Sequence, residues 1–230
     1  MHFSFVTLFP NLIKGYFSES ILNRAIEDDK ISIDFYNPRD YTEDKHNRVD
    51  ASMVGGGAGM LMMPQPLSDT LDDIRRRSPK AHIVFLTPVA KNFKQNDAKR
   101  LANKDHIVFV SGRYEGIDER VIEIYADELF SIGDFILTGG ELASMVMCDS
   151  IARNINGVLG NSDSLSVESY ENSVLEAASF TKPKNYKNKE VVSEFLKGNH
   201  SKITDLKRDM ALCKTKFFRP DLYKGIAYEK

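Results

Sequence analysis

Short β-rich runs alternate with helix-period segments through the first half of the chain, and no other feature constrains the fold as much. HFSFVTLF (2–9), ISIDFY (31–36), AHIVFL (81–86) and DHIVFV (105–110) read as strands. Between them, SESILNRAIEDD, PLSDTLDDIRRR and NFKQNDAKRLANK place Ile21, Leu22, Ala25 and Ile26, then Leu71 and Ile74, at helical spacing. That alternation predicts α/β layering around a largely parallel sheet. Ligands of such sheets gather beyond the carboxyl ends of the strands. A further helix is predicted from Gly140 to about Asn154, with Glu141 near its N-terminus, where the dipole favours an acid.

The second half changes character. NSDSLSVESYENS (161–173) is polar with no sustained apolar face and reads as a linker. A basic segment follows, with TKPKNYKNKE, a helix-like EVVSEFL, the turn KGNH, and SKITDLKRDMALCKTKFF, where Ile203, Leu206, Met210 and Cys213 form a helical packing stripe. The net charge of −2 hides an asymmetry: residues 175–230 carry 13 Lys and Arg against 7 Asp and Glu, while residues 1–174 carry 18 against 26. On charge alone, a basic module meeting a polyanion and a merely solvated lysine surface stand level. Cys148 and Cys213 make no disulfide framework or metal spacing, and Cys148, in the apolar ASMVMC run, reads as a buried inert thiol. No apolar run approaches the roughly 20 residues of a membrane span. The opening MHFSFVTLFP lacks the basic start and cleavage site of a signal peptide. A cytoplasmic protein with no membrane partner fits these readings.

Three stretches combine glycine with charge or close packing: GGGAGM (55–60), VSGRYEGIDERV (110–121) and SIGDFILTGGEL (131–142). Glycine at strand ends allows tight turns and presents backbone N–H groups to a ligand. GGGAGM fits neither G-x-G-x-x-G nor a phosphate-binding P-loop, which counts against a nicotinamide-dependent enzyme. Taken singly, Arg113, Glu115, Asp118, Glu119 and Arg120 read as paired surface charges.

In combination these motifs are specific. GRYEGIDERV, SIGDFILTGGEL, GGGAGMLMM, LFP (8–10), NPRD (37–40), GVLG (157–160) and GNH (198–200) stand in one colinear order. Together they resemble the bacterial tRNA (guanine-N1)-methyltransferase (TrmD) family of the SPOUT class, over nearly the whole chain. The resemblance implies a SPOUT-type α/β parallel sheet with a deep C-terminal trefoil knot, plus a small helical C-terminal domain. It divides the chain into a catalytic domain (1–160), a linker (161–174) and a basic tRNA-binding domain (175–230). It also implies a homodimer with the active site between subunits. The knot rests wholly on the resemblance, since general topology argues against knots.

The implied S-adenosyl-L-methionine pocket consists of three strand-end loops. Leu86, Thr87 and Pro88 form the first; Gly112, Tyr114 and Glu115 the second; Ile132, Gly133, Asp134, Phe135, Ile136, Leu137, Gly139 and Gly140 the third. Apolar walls suit the adenine, and a carboxylate such as Glu115 faces cationic parts of a cofactor that carries no phosphate. The glycine loop (Gly55, Gly56, Gly57, Gly59, Met60) is implied on the guanine side. Lys182, Lys184, Lys187, Lys189, Lys207 and Arg208 are expected to hold tRNA phosphates.

The implied reaction, at guanosine 37 beside the anticodon, needs a base for guanine N1 and a cation for charge developing toward O6. The resemblance gives the cation to Arg153, which alone would read as a helix-end charge. It gives the base to Glu168, in SVESY, where the family has aspartate in a T-E-D-S-F context. Glutamate keeps nearly the same intrinsic pKa with one more methylene of reach. Asp163 and Glu171 are the fallback acids, and Ala143 replaces a proline common after GGEL. The altered acid leaves open a catalytically impaired relative that binds tRNA and cofactor without methylating. No metal ligand cluster is apparent, although the resemblance leaves room for Mg2+.

Overall fold

The computed structural model describes residues 1–161 and 165–228. Two compact units result, Met1–Gly160 and Asn161–Lys230. In the first, β1 (His2–Val6), β2 (Ser32–Tyr36), a hairpin of β3 (Asp50–Ser52) and β4 (Met60–Met62), β5 (His82–Leu86), β6 (His106–Ser111) and β7 (Glu128–Phe130) follow in chain order. Strands β2-β1-β6-β5-β7 pair in parallel, in that spatial order.

Alternation across the pleat decides which helix packs where. Phe3, Phe5, Ile107 and Phe109 face one way, against α2 (Ser20–Glu27), α4 (Gln95–Leu101) and α6 (Glu141–Ala152). Ile83, Phe85, Val108 and Val110 face the other way, against α3 (Pro64–Arg77) and α5 (Glu119–Tyr125). Strand β6 is buried along its whole length. A strand covered on both faces reads as a continuous apolar run, which is why DHIVFV is legible. The four expected strands form, and the first ends at Val6, where Thr7–Phe9 turn toward the site. Edge strand β7 has three residues, too few to show a period. Helix α5 starts where Asp118 accepts from the Arg120 backbone N–H at 3.1 Å. Cys148 is buried, and desolvation pushes its thiol well above the ordinary value.

The second unit holds a two-residue hairpin, β8 (Asn185–Tyr186) and β9 (Lys189–Glu190), then α7 (His200–Phe218) and α8 (Pro220–Tyr228). Asn199 caps α7 by accepting from the Lys202 N–H at 3.2 Å. The expected helical stripe on α7 needs one correction: Cys213 is exposed, and Thr215 is the buried residue of that turn. Thr215 Oγ1 accepts from the Leu175 N–H at 2.9 Å, tying the start of the basic segment to α7. EVVSEFL forms only a short 3-10 turn, Ser193–Leu196.

At the amino ends of the strands, opposite the loops that carry the motifs, two histidines meet. The His2 and His106 rings lie 4.3 Å apart. His106 Nε2 is 2.9 Å from Ser4 Oγ, and His106 Nδ1 is 2.9 Å from Ser78 Oγ. Burial, with His2 alongside, lowers His106 from 6.5 to about 4. Between those values the unfolded chain binds more protons than the folded one, so stability rises with pH across that window. Urea unfolding should therefore show stability level above 6.5 and declining toward pH 4, and His106→Gln should flatten the decline.

Candidate active site

The carboxyl ends of β5 and β6 and the turn after β7 enclose a cavity of about 480 Å³. Leu86, Thr87, Pro88, Gly112, Tyr114 and Glu115 line one part of it. Ile132, Gly133, Phe135, Ile136, Leu137, Gly139 and Gly140 line the rest. The three loops named from the sequence thus meet in one place. Asp134 belongs to the same turn but does not line the cavity; its carboxylate accepts from Asn92 Nδ2 at 3.4 Å. The mouth is apolar and open, with Ile136 and Phe135 79% and 53% exposed.

Backbone contacts hold the loops. The Thr87 N–H donates to the Phe130 carbonyl at 3.0 Å, and the Gly140 N–H to the Gly112 carbonyl at 2.9 Å. Gly140 is sterically required: a Cβ there would lie 2.8 Å from the Ser111 Cα, a backbone atom that cannot swing aside. The amino end of α6 can approach β6 only because that side chain is missing.

GGGAGM forms the tip of the β3–β4 hairpin. Gly55, Gly56, Gly57 and Gly59 have φ of 94°, 87°, 126° and 85°, the left-handed region that glycine occupies without strain. Three hydrogen bonds join β4 to the GRYEGID loop: Met62 N–H to Gly116 O and Glu115 N–H to Met60 O, both 2.9 Å, and Asp118 N–H to Met62 O, 3.2 Å. A Cβ on Gly59 would come 2.6 Å from the Glu115 Cγ. The glycine loop therefore borders the cavity through Glu115.

Beneath these loops lies an ion pair that sequence reasoning missed. Glu141, expected as a helix-dipole acid, has a side chain only 3% exposed. Thr7 Oγ1 donates to its Oε1 at 2.8 Å, and Arg113 Nε donates to Oε1 at 3.1 Å and lies 2.9 Å from Oε2. Arg113 also donates to the Thr138 carbonyl at 3.2 Å and sits 4.7 Å from the Phe9 ring centre. The LFP, GRYEG and TGGEL motifs are thus fastened together.

The other expected residues belong to both units. Arg153 caps the carboxyl end of α6 in the first unit, its N–H donating to Asp149 O at 3.1 Å. Glu168 is half-buried in the second unit, where its carbonyl accepts from the Glu171 N–H at 3.2 Å. Asp163 lies outside the described residues. Lys182, Lys184 and Lys207 share a groove in the second unit. Lys187 is at the tip of the β8–β9 hairpin, Lys189 in β9, and Arg208 outside the groove, 3.6 Å from Asp205. Among the described residues, no group of three or more His, Cys, Asp or Glu is placed to hold a metal ion, and no helix is long and apolar enough to cross a membrane.

A family model described as tRNA (guanine-1)-methyltransferase TrmD matches residues 1–225. A tRNA (guanine-N(1)-)-methyltransferase of Sulfurovum sp. is 81% identical over 97% of this chain and 99% of its own. Proteins of the same name are 66% identical in Sulfurimonas denitrificans, over 96% of both chains, and 60% identical in Nitratiruptor sp., over 100% of both.

Breaking a buried ion pair by removing one partner costs about 3–5 kcal/mol. Arg113→Met should lower the urea-unfolding free energy by about that much, and Arg113→Met with Glu141→Leu should recover part of the loss.

Proposed function

The chain belongs to the tRNA (guanine-N1)-methyltransferase family, and from that premise we propose that it methylates N1 of guanosine 37 in tRNA, using S-adenosyl-L-methionine. The observation that carries the reading is the family match along residues 1–225, with its motifs converging on one cavity. Identity of 81% to a relative bearing that name favours an active enzyme over a catalytically impaired binder. It also displaces a nicotinamide-dependent alternative.

The cavity suits a sulfonium nucleoside. Its volume lies in the range of small-molecule sites, its walls are apolar, and Glu115 is the one carboxylate among its lining residues. Its one lining cation, Arg113, is already paired with Glu141, in keeping with a ligand that carries no phosphate. When bound, the donor supplies an electrophilic methyl, whose bond to sulfur breaks as guanine N1 bonds to carbon. The chain supplies the rest. Glu168 accepts the N1 proton, and the Arg153 guanidinium stabilises charge developing on O6. Gly55–Met60 takes the edge of the guanine and its neighbours, a base drawn from its stack at a cost of a few kcal/mol.

The trefoil knot is part of the same reading. After edge strand β7 the chain returns to the centre of the sheet, where the Gly140 N–H meets the Gly112 carbonyl, and a threaded crossing needs such a return. A homodimer is supported by an exposed apolar patch on the first unit: Phe9, Leu12, Tyr16, Leu142 and Val146 are 43–59% exposed. Tyr16 Oη donates to Asp149 Oδ2 at 2.5 Å, joining the loop after α1 (Asn11–Lys14) to α6. Such a patch fits a second copy of the chain. The cytoplasm, where tRNA is modified, completes the reading.

Mass-spectrometric mapping of nucleosides after incubation with unmodified tRNA and the donor should find 1-methylguanosine beside the anticodon; methylation elsewhere, or none, would refute the assignment. Glu168→Gln should slow single-turnover transfer by about 10²–10⁴ and Arg153→Ala by about 10²–10³, with donor binding retained in calorimetry. Val146→Asp should convert a dimer to monomer in light scattering.

A further inference from the structure

The second unit contains a groove of about 560 Å³ with an aromatic and aliphatic floor and three lysines on its rim. Phe180 and Phe195 supply the rings, 5.8 Å apart and tilted by 47°, and Phe180 is 48% exposed. Ile203 and Lys207 stand one turn apart on α7, so the ammonium lies beyond the apolar floor on the same helix face. Lys182 and Lys184 reach the rim from the segment entering the β8–β9 hairpin, whose Lys184 carbonyl accepts from the Val191 N–H at 2.9 Å.

The groove carries charge of one sign. No Asp or Glu lines it. Two cations outside it are paired: Lys197 lies 2.7 Å from Glu194, and Arg208 3.6 Å from Asp205. Lys182, Lys184 and Lys207 have no acid within ion-pair distance among the described residues. Three unneutralised cations around one exposed and one half-buried ring call for a ligand that is flat and apolar in one part and anionic beside it. Inorganic phosphate would leave the rings in water, and an apolar peptide would leave the lysines uncompensated. A nucleotide satisfies both, with its base on a ring and its phosphates at the rim.

We infer that this groove holds an unstacked nucleobase of the tRNA, a second anchor apart from the guanine that is methylated. The inference rests on reading tRNA as the substrate. It assigns Phe180 and Phe195 to stacking, and Lys182, Lys184 and Lys207 to the adjoining phosphates.

The test measures binding of the full chain to unmodified tRNA by fluorescence anisotropy at several salt concentrations. Phe180→Ala and Phe195→Leu should raise Kd roughly 5- to 150-fold without altering the slope of log K against log salt. Lys207→Gln should reduce that slope by about 0.7–0.9. Circular dichroism and calorimetric binding of S-adenosyl-L-methionine should be unchanged in all three, which excludes misfolding as the cause. Wild-type affinity in both phenylalanine variants would overturn the inference. So would a lowered melting temperature with tRNA affinity intact, because protein rather than RNA would then cover the groove. Methylation of tRNA by the same phenylalanine variants at wild-type Kd and rate would sink the groove alone; a wild-type chain that binds no tRNA would sink the substrate reading with it.

Discussion

A single buried carboxylate organises the loops at the carboxyl edge of the sheet. A buried charge is costly without partners, and those of Glu141 come from distant parts of the chain. Thr7 arrives from the end of β1 and Arg113 from the end of β6, while Glu141 itself opens α6. Because Arg113 also binds the Thr138 carbonyl and covers Phe9, one charge fixes the relative placement of four segments. Gly139 and Gly140 lie between these groups, where a Cβ on either would collide with a neighbour. The glycines of TGGEL are therefore packing requirements before they are ligand contacts.

Much of the sheet was legible in the sequence. Strands β1, β5 and β6 are covered on both faces, so their sequences are apolar runs bounded by polar turns. Helices α2 and α3 showed their spacing because each buries one face, with Leu22 and Ala25 on the first and Leu71 and Ile74 on the second. The short elements were not legible: β7 has three residues, and the β3–β4 hairpin is mostly a glycine tip. Cys213 matched the period of α7, yet Thr215 took the buried position because its hydroxyl serves the Leu175 backbone.

The candidate site divides along similar lines. Its three loops were named through family resemblance, and they line one cavity apart from Asp134. The Arg113–Glu141 pair spans 28 residues and leaves no periodic trace. Residues joined only by tertiary folding look like ordinary surface charges until the chain is closed around them. The groove in the second unit was half legible: its lysines stood out by charge, while Phe180 and Phe195 came from segments with no shared pattern.

The hydrogen bonds between β4 and the Arg113–Asp118 loop make the hairpin tip and one wall of the cavity a single mechanical body. A molecule that immobilises Glu115 also removes freedom from β4 and the hairpin it belongs to, so any later binding there costs less ordering. Thermodynamic linkage makes the effect mutual and of equal size in either order of arrival. Order imposed on the cavity wall can thus reach the hairpin through three backbone contacts.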